Sequence, residues 1–404
     1  MRSLHVLRMA LLTVCGLPFL GIASAQQVTP IDGGQINSPI VVINNGPGNQ
    51  TDPHVNGNLA SYTDGGATIR YFDFSSNTNF AVPGAAGNQD TLSDVNGIRI
   101  AFSRTKVDLS TAVLVYDTSS STLFEIDPQP GSLRFNPILG GNTLAYVDLN
   151  VGNGDIYVYD LAANPPLPPQ DLSTSNISED SPAVSPDGNT VVWETCVGAN
   201  CDILKALRTG GIWNLSTVVA TPSNEENPDT DGTWVVYDSS RNGQSQIYFQ
   251  PIGGGAETQV VTPGDAINPS ISKGVIVFED RAGGPGDIFA YVIATNTLYH
   301  VTSTPNIDDT LNDVSVLSNG DIRVVWSSLE SDNNVYATTF TPAGVHYDIC
   351  PLYDSTVAKK SGSAYPIKIH LFNLSTKGYS TGTYNLNFTA GADPATHSSG
   401  FAAK

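Results

Sequence analysis

Basic residues are few in this chain beside acidic ones. Its 404 residues carry 18 Lys and Arg against 38 Asp and Glu, a formal net charge of −20. Nucleic acid and anionic lipid are polyanions, so this balance argues against both as partners. Histidine is scarce as well. Beyond the first 25 residues there are five, His54, His300, His346, His370 and His397, and the repeated region holds just two of them. That is too few for a multi-histidine metal centre. No G-x-S-x-G elbow occurs, which removes the signature of a serine hydrolase. After the leader no apolar run is long enough to cross a bilayer, and no stretch keeps a 3.6-residue apolar period. The shortages leave an acidic, nearly all-β chain.

The leader, MRSLHVLRMALLTVCGLPFLGIASA, has Arg2 and Arg8, an apolar middle, and Ala23-Ser24-Ala25 at its end. It is expected to be a secretory signal peptide over residues 1–25, cleaved after Ala25, giving a secreted or periplasmic protein. Its removal takes two arginines and Cys15, leaving a net charge of −22. The acidity is concentrated in residues 26–344, because residues 345–404 hold five lysines against three aspartates. Of the remaining cysteines, Cys196 and Cys201 bracket a short turn and are expected to form a disulfide, as suits an exported protein. Cys350 is left over.

What the chain has in abundance is repetition. Apolar runs ending on an aromatic recur about every 40 to 48 residues, at Tyr62, Phe102, Tyr146, Trp193, Tyr237, Phe278 and Trp326. Their contexts include LASYTD, TLAYVD, WVVYDS and VIVFED. A second alternating strand usually follows, as in DIYVYD at 155–160 and DIFAY at 287–291. A period near 40 residues with several short strands per unit is the mark of propeller blades. The last unit, 306–344, lacks a fourth strand, and residues 39–44 near the N-terminus are a candidate to supply it. The expected fold is therefore an all-β, seven-bladed β-propeller over 26–344 closed by an N-terminal strand. Six- and eight-bladed rings stay open as alternatives.

Segments 181–211, 227–255 and 268–296 resemble TolB-type β-propeller repeats, whose order is roughly Pro, Ser-Pro-Asp-Gly, an apolar strand, a polar hairpin and Ile-Tyr, in shortened versions. The full Ser-Pro-Asp-Gly stands once, at Ser185 to Gly188. The resemblance implies a fold and says little about function. TolB's N-terminal α/β domain has no counterpart in the dozen residues before the first strand, so its role in the Tol system does not carry over. Residues 345–404, with KKSGSAYPIKIHLFN and GTYNLNFTAGADPATHSSGF, resemble a short immunoglobulin-like β module of bacterial secreted proteins.

The candidate site lies in the acidic segments that enter each unit. Asp52, Asp90, Glu179, Asp180, Glu225, Glu226, Asp265, Asp308 and Asp309 are expected at one mouth of the central channel. There they would cap turns, with the Asx-Pro and Ser-Pro pairs Asp52-Pro53, Asn136-Pro137, Ser181-Pro182, Asn227-Pro228 and Asn268-Pro269, or attract a cation or a basic partner segment. Asp148, Asn150, Asn153 and Asp155 are spaced somewhat like a Ca²⁺ loop but lack its downstream acid. No cofactor is required, and Ca²⁺ is the one candidate. Arg104, Arg241 and Arg281 fall in similar positions near the hairpins and read as surface salt-bridge residues rather than a carboxylate-binding triad. The leading expectation is a non-catalytic binding or scaffold protein facing a protein or glycan partner. A glycan hydrolase or lyase using channel carboxylates is the first alternative, and a cell-envelope structural or adhesion protein the second.

Overall fold

A computed structural model describes residues 25–150, 153–173, 177–282, 284–343, 347–351, 369–373 and 378–379. The leader up to residue 24 and most of the C-terminal sixty residues lie outside it. The chain forms two units, 1–340 and 341–404. In the second, Tyr347–Pro351, Ile369–Asn373 and Gly378–Tyr379 form a three-stranded antiparallel sheet in chain order.

The first unit is a seven-bladed β-propeller. Blades 1 to 7 span residues 50–81, 89–125, 134–171, 178–219, 225–260, 266–300 and 308–340, each an antiparallel sheet. A single 3-10 turn, Ile293–Thr295, is the only helical element among the described residues. Each inner strand packs beside the next, and the last packs beside the first, so the ring is complete.

The seven repeating aromatics sit on the second strand of their blades and are 0 to 2% exposed. In four blades the directly opposite residue of the third strand is also aromatic. Tyr146 stacks on Tyr157, Tyr237 on Tyr248, Phe278 on Phe289 and Trp326 on Tyr336, with ring centroids 6.0 to 6.1 Å apart. Cross-strand pairs of this kind stabilise a sheet by roughly 0.2–1 kcal/mol each. The apolar core is divided into seven clusters, and each one bridges two neighbouring blades. The period in the sequence is thus a period of blade-to-blade contacts.

The N-terminal segment closes the ring. Strand β3 (Ile40–Asn44) pairs antiparallel with Asn333–Phe340 and becomes the outer strand of blade 7. Its Ile43 is buried in the cluster that joins blades 7 and 1. Before it, β1 (Gln26–Val28) adds a parallel fifth strand to blade 5, and β2 (Ile31–Gln35) does the same for blade 6. Gly33 is required there, because a Cβ would come within 2.7 Å of the Tyr299 ring. Neither β1 nor β2 was expected from the sequence. Both are short and polar, without the alternation that marks a half-buried strand.

The cysteines at 196 and 201 lie opposite each other in the hairpin of blade 4 and are disulfide-bonded. The arginines correct an expectation. Arg104 is buried and binds Asp90 through two nitrogens at 2.6 and 2.7 Å. Arg241 reaches Glu225 and Glu257 at 3.3 and 2.8 Å and lies 4.2 Å over the Tyr248 ring. Both are ties within a blade, Arg104 across the inner and second strands and Arg241 from the hairpin that follows the second strand. Arg281 alone is half-exposed, between Glu279 and Asp308.

Candidate functional site

Every inner strand carries one irregularity. The ladder to the second strand slips at the same place in all seven blades. At each slip stands one residue with left-handed backbone: Asp52, Leu92, Asn136, Ser181, Asn227, Asn268 and Leu311, with φ between 51° and 57°. Such β-bulges bend a strand and re-aim its side chains. Asn and Asp tolerate this conformation, and Leu does so only at a cost. The Asx-Pro and Ser-Pro pairs are therefore bulges inside strands, not turn caps. Proline fits because it follows the point where the ladder is already broken.

Six of the seven bulges, all but that of Leu92, line a central cavity of about 320 Å³. Asp52, Asn136, Ser181, Asn227, Asn268 and Leu311 all border it. Two residues past the bulge the side chains turn into the wall, at His54 in blade 1, Asp94 in blade 2, Asp229 in blade 5 and Asp313 in blade 7. Each of these aspartates accepts a backbone N–H from the following blade. Asp94 takes Leu139 at 2.6 Å, Asp229 takes Ile271 at 2.7 Å, and Asp313 takes Val55 at 2.7 Å. The second oxygen of Asp229 and of Asp313 accepts the amide of the next residue in its own strand, both at 2.7 Å. These carboxyls satisfy backbone donors on the free edge of the inner strands, which have no further strand to pair with.

His54 is set among three of the acids. Its ring nitrogens lie 3.5 Å from Asp52, 3.6 Å from Asp94 and 3.7 Å from Asp313. Burial works against the charged imidazole, but the Asp52 hydrogen bond and the three negative charges outweigh it and push His54 up to about 10. Burial raises Asp313 to about 6, against the pull of His54. It raises Asp229 to about 7, helped by Asp313 and Asp231. A histidine held as imidazolium is no general base. Its role here is to balance charge.

A second acidic group lies nearer the blade-leading ends of the same strands. Asp180 stands opposite Glu194, and Glu226 opposite Asp238. Asn227 donates its amide to Glu194 at 2.6 Å and its side chain to Asp238 at 2.9 Å. Burial pushes Asp238 up to about 7, and burial with repulsion from Glu226 raises Glu194. No Lys or Arg pairs with these four among the described residues.

The nine acids expected at the mouth fall into four settings. Asp52 borders the channel at its bulge. Asp90, Glu179, Glu225 and Asp309 all stand two residues before a bulge and are 0 to 4% exposed. Glu225 is held by Thr221, Ser239 and Arg241, and Asp309 by Thr304 and Ser328. Asp180, Glu226 and Asp308 are half-buried, while Asp265 is exposed and accepts the Ser245 amide at 3.0 Å. Of the Ca²⁺-loop candidates, Asp148 is bound to Arg134 at 2.8 Å and to the Asn150 amide at 2.9 Å. Asp155 lies directly across the hairpin from it, and Asn153 is in the described part of the loop, whose residues 151 and 152 are outside it. Sequence reasoning missed His54, Asp94, Asp229 and Asp313. Their signal is a spacing: each stands two residues after the residue that bulges.

No protein-family model matches the chain. Among solved structures, the β-propeller domain of the trilobed protease from Pyrococcus furiosus is similar over 73% of this chain and 98% of its own, at 12% identity and a TM-score of 0.55. That domain is described as having an open velcro topology, whereas β3 here completes blade 7. A prolyl endopeptidase is similar over 75% of this chain at 12% identity and a TM-score of 0.53, and the match spans 52% of the peptidase. TolB from Acinetobacter baumannii matches 71% of this chain and 77% of its own, at 16% identity and a TM-score of 0.43. At these identities the likeness is one of fold alone, and the chain covers about half the length of the peptidase.

Proposed function

We propose that this is an exported, non-catalytic binding protein whose bulge-lined face takes a protein partner through a cationic or polar segment. The observation that carries the reading is the pair Leu92 and Leu311. In a ring whose other bulges are Asp, Asn or Ser, these two leucines hold the left-handed conformation and stay 38% and 40% exposed. Strain kept at an exposed apolar side chain is the kind of cost a binding site carries. The two flank Asp52, because blades 7, 1 and 2 are consecutive around the ring. The surrounding negative charge favours a basic segment over an acidic one. The engaged state of Asp94, Asp229 and Asp313 also favours binding over hydrolysis, since each already accepts backbone hydrogen bonds. A glycan partner remains the alternative occupant of the same face.

The test immobilises the full mature chain and passes envelope extract of the producing cell over it, with and without chelator. The wild type is expected to retain a partner in a salt-sensitive manner, and Leu92→Asn/Leu311→Asn to lose it. The same variant is expected to gain about 1 kcal/mol of stability per site, because asparagine accepts the left-handed backbone more readily than leucine. Equal retention by both proteins, or retention by neither in both conditions, counts against the proposal.

A further inference from the structure

The seam between blades 3 and 4 contains acids that the channel does not use. Asp155 opens the third strand of blade 3, Asp171 ends its fourth, and Glu179 is the second residue of the inner strand of blade 4. The Glu179 amide donates to the Gly154 carbonyl at 3.0 Å, which sets the Asp155 end of blade 3 against blade 4. Asp155 and Glu179 are 3% and 4% exposed. Asp155 Oδ1 and Glu179 Oε2 are shut off from solvent and have no hydrogen-bond partner among the described residues. The indole N–H of Trp193 lies beside Glu179 without reaching an acceptor at hydrogen-bonding geometry. Burial raises Glu179, against Ser173, Trp193 and the Ile156 amide and with Asp155 adding repulsion, and burial with Asp171 and Asp148 raises Asp155.

The repeat supplies its own controls. The position of Glu179, two residues before the bulge, is also acidic in blades 2, 5 and 7. There the residue opposite on the second strand is Arg104, Ser239 or Ser328, and each binds its acid. In blade 4 the residue opposite is Thr195, and Glu179 Oε2 stays without a donor. The nearby guanidinium of Arg134 is committed to Asp148 and Asp127. Buried carboxyl oxygens without donors are costly unless a proton or a cation joins them. An all-oxygen set of carboxylates suits a hard divalent ion, which takes about six to eight oxygens.

We propose that the seam between blades 3 and 4 binds a calcium-class cation through Asp155 and Glu179, with Asp171 adding negative charge beside them. The site differs from the hairpin loop suggested by spacing, because Asp148 belongs to Arg134 and the missing downstream acid comes from the next blade.

The full mature protein, stripped with chelator at neutral pH, is titrated with Tb³⁺ while emission sensitised through tryptophan is followed. Ca²⁺ is then added in competition, and the unfolding temperature is read with and without Ca²⁺. Saturable emission displaced by Ca²⁺ and a Ca²⁺-dependent rise in unfolding temperature are expected. Asp155→Asn/Glu179→Gln should weaken binding at least tenfold, whereas Asp265→Asn should leave it unchanged. Should the double variant not fold, Trp193→Phe is the second test, expected to lose most sensitised emission while keeping the Ca²⁺-dependent rise. The proposal is overturned if the wild type shows neither signal, if the double variant binds as tightly as the wild type, or if Trp193→Phe keeps full emission. A double variant more stable than a Ca²⁺-indifferent wild type would mean that protons, not a cation, occupy the seam.

Discussion

His54 is a lone histidine in a wall of aspartates, and the charge balance between them governs how the ring responds to pH. Its folded value of about 10 lies above the ordinary value of 6.5. A base raised by folding contributes stability in full below its unfolded value and loses it as pH climbs through the folded one. Asp229 and Asp313, raised to about 7 and about 6, favour the folded state when protonated and act in the same direction at lower pH. Stability is therefore expected to fall between about pH 4 and 10, through the two aspartates below pH 7 and through His54 above it, by at most about 1.4 kcal/mol per pH unit for each proton involved. His54→Gln should flatten the part above pH 7, and urea unfolding across this range checks it. An unchanged slope would mean that His54 is not the charged centre of the cluster. The sequence displayed His54 beside Asp52 and Pro53 but gave no hint that Asp94 and Asp313 come from neighbouring blades. Contacts between residues about 40 or 260 positions apart follow from ring closure, not from local spacing.

At the scale of single elements, legibility tracked apolar pattern. Tyr62, Phe102 and the other five aromatics announced their strands because each ends an apolar run, and all seven are buried where blades meet. Strand β3 was legible for the same reason: IVVIN is apolar and β-branched. Strands β1 and β2 hold QQV and IDGGQ, bind mainly through backbone, and left no such trace. The bulges are visible as Asx-Pro and Ser-Pro pairs, but proline signals turns and bulges alike, so the pairs alone do not tell one from the other. If β3 closes the ring, its inward residue carries the load. Ile43→Ala is expected to cost about 2–5 kcal/mol as a buried large-to-small change. Ile40→Ala, at a position 57% exposed, should stay within about 0.5 kcal/mol. Equal effects in urea unfolding would contradict closure through the buried face of β3.

For the whole molecule, the acidity that dominated the sequence is divided among several uses. Part of it is structural, since Asp94, Asp229 and Asp313 join successive blades by taking amides on the free edge of the next blade's inner strand. Asp90, Glu225 and Asp309 are tied inside their blades, and the exposed acids around Asp52, Leu92 and Leu311 face a ligand in the proposed function. The division was not readable from composition, because a carboxylate count is blind to whether its oxygens already have donors. The most direct measurement is the urea-unfolding free energy of Asp313→Asn beside that of Asp265→Asn. An asparagine at 313 can accept only one of the two amides that Asp313 holds, so a loss of about 1–3 kcal/mol is expected. Asp265 is exposed, and its change should stay within about 0.5 kcal/mol. An Asp313→Asn protein as stable as the wild type, or more so, would contradict the account, for the channel acids would then be held at a cost to the fold and not as part of it.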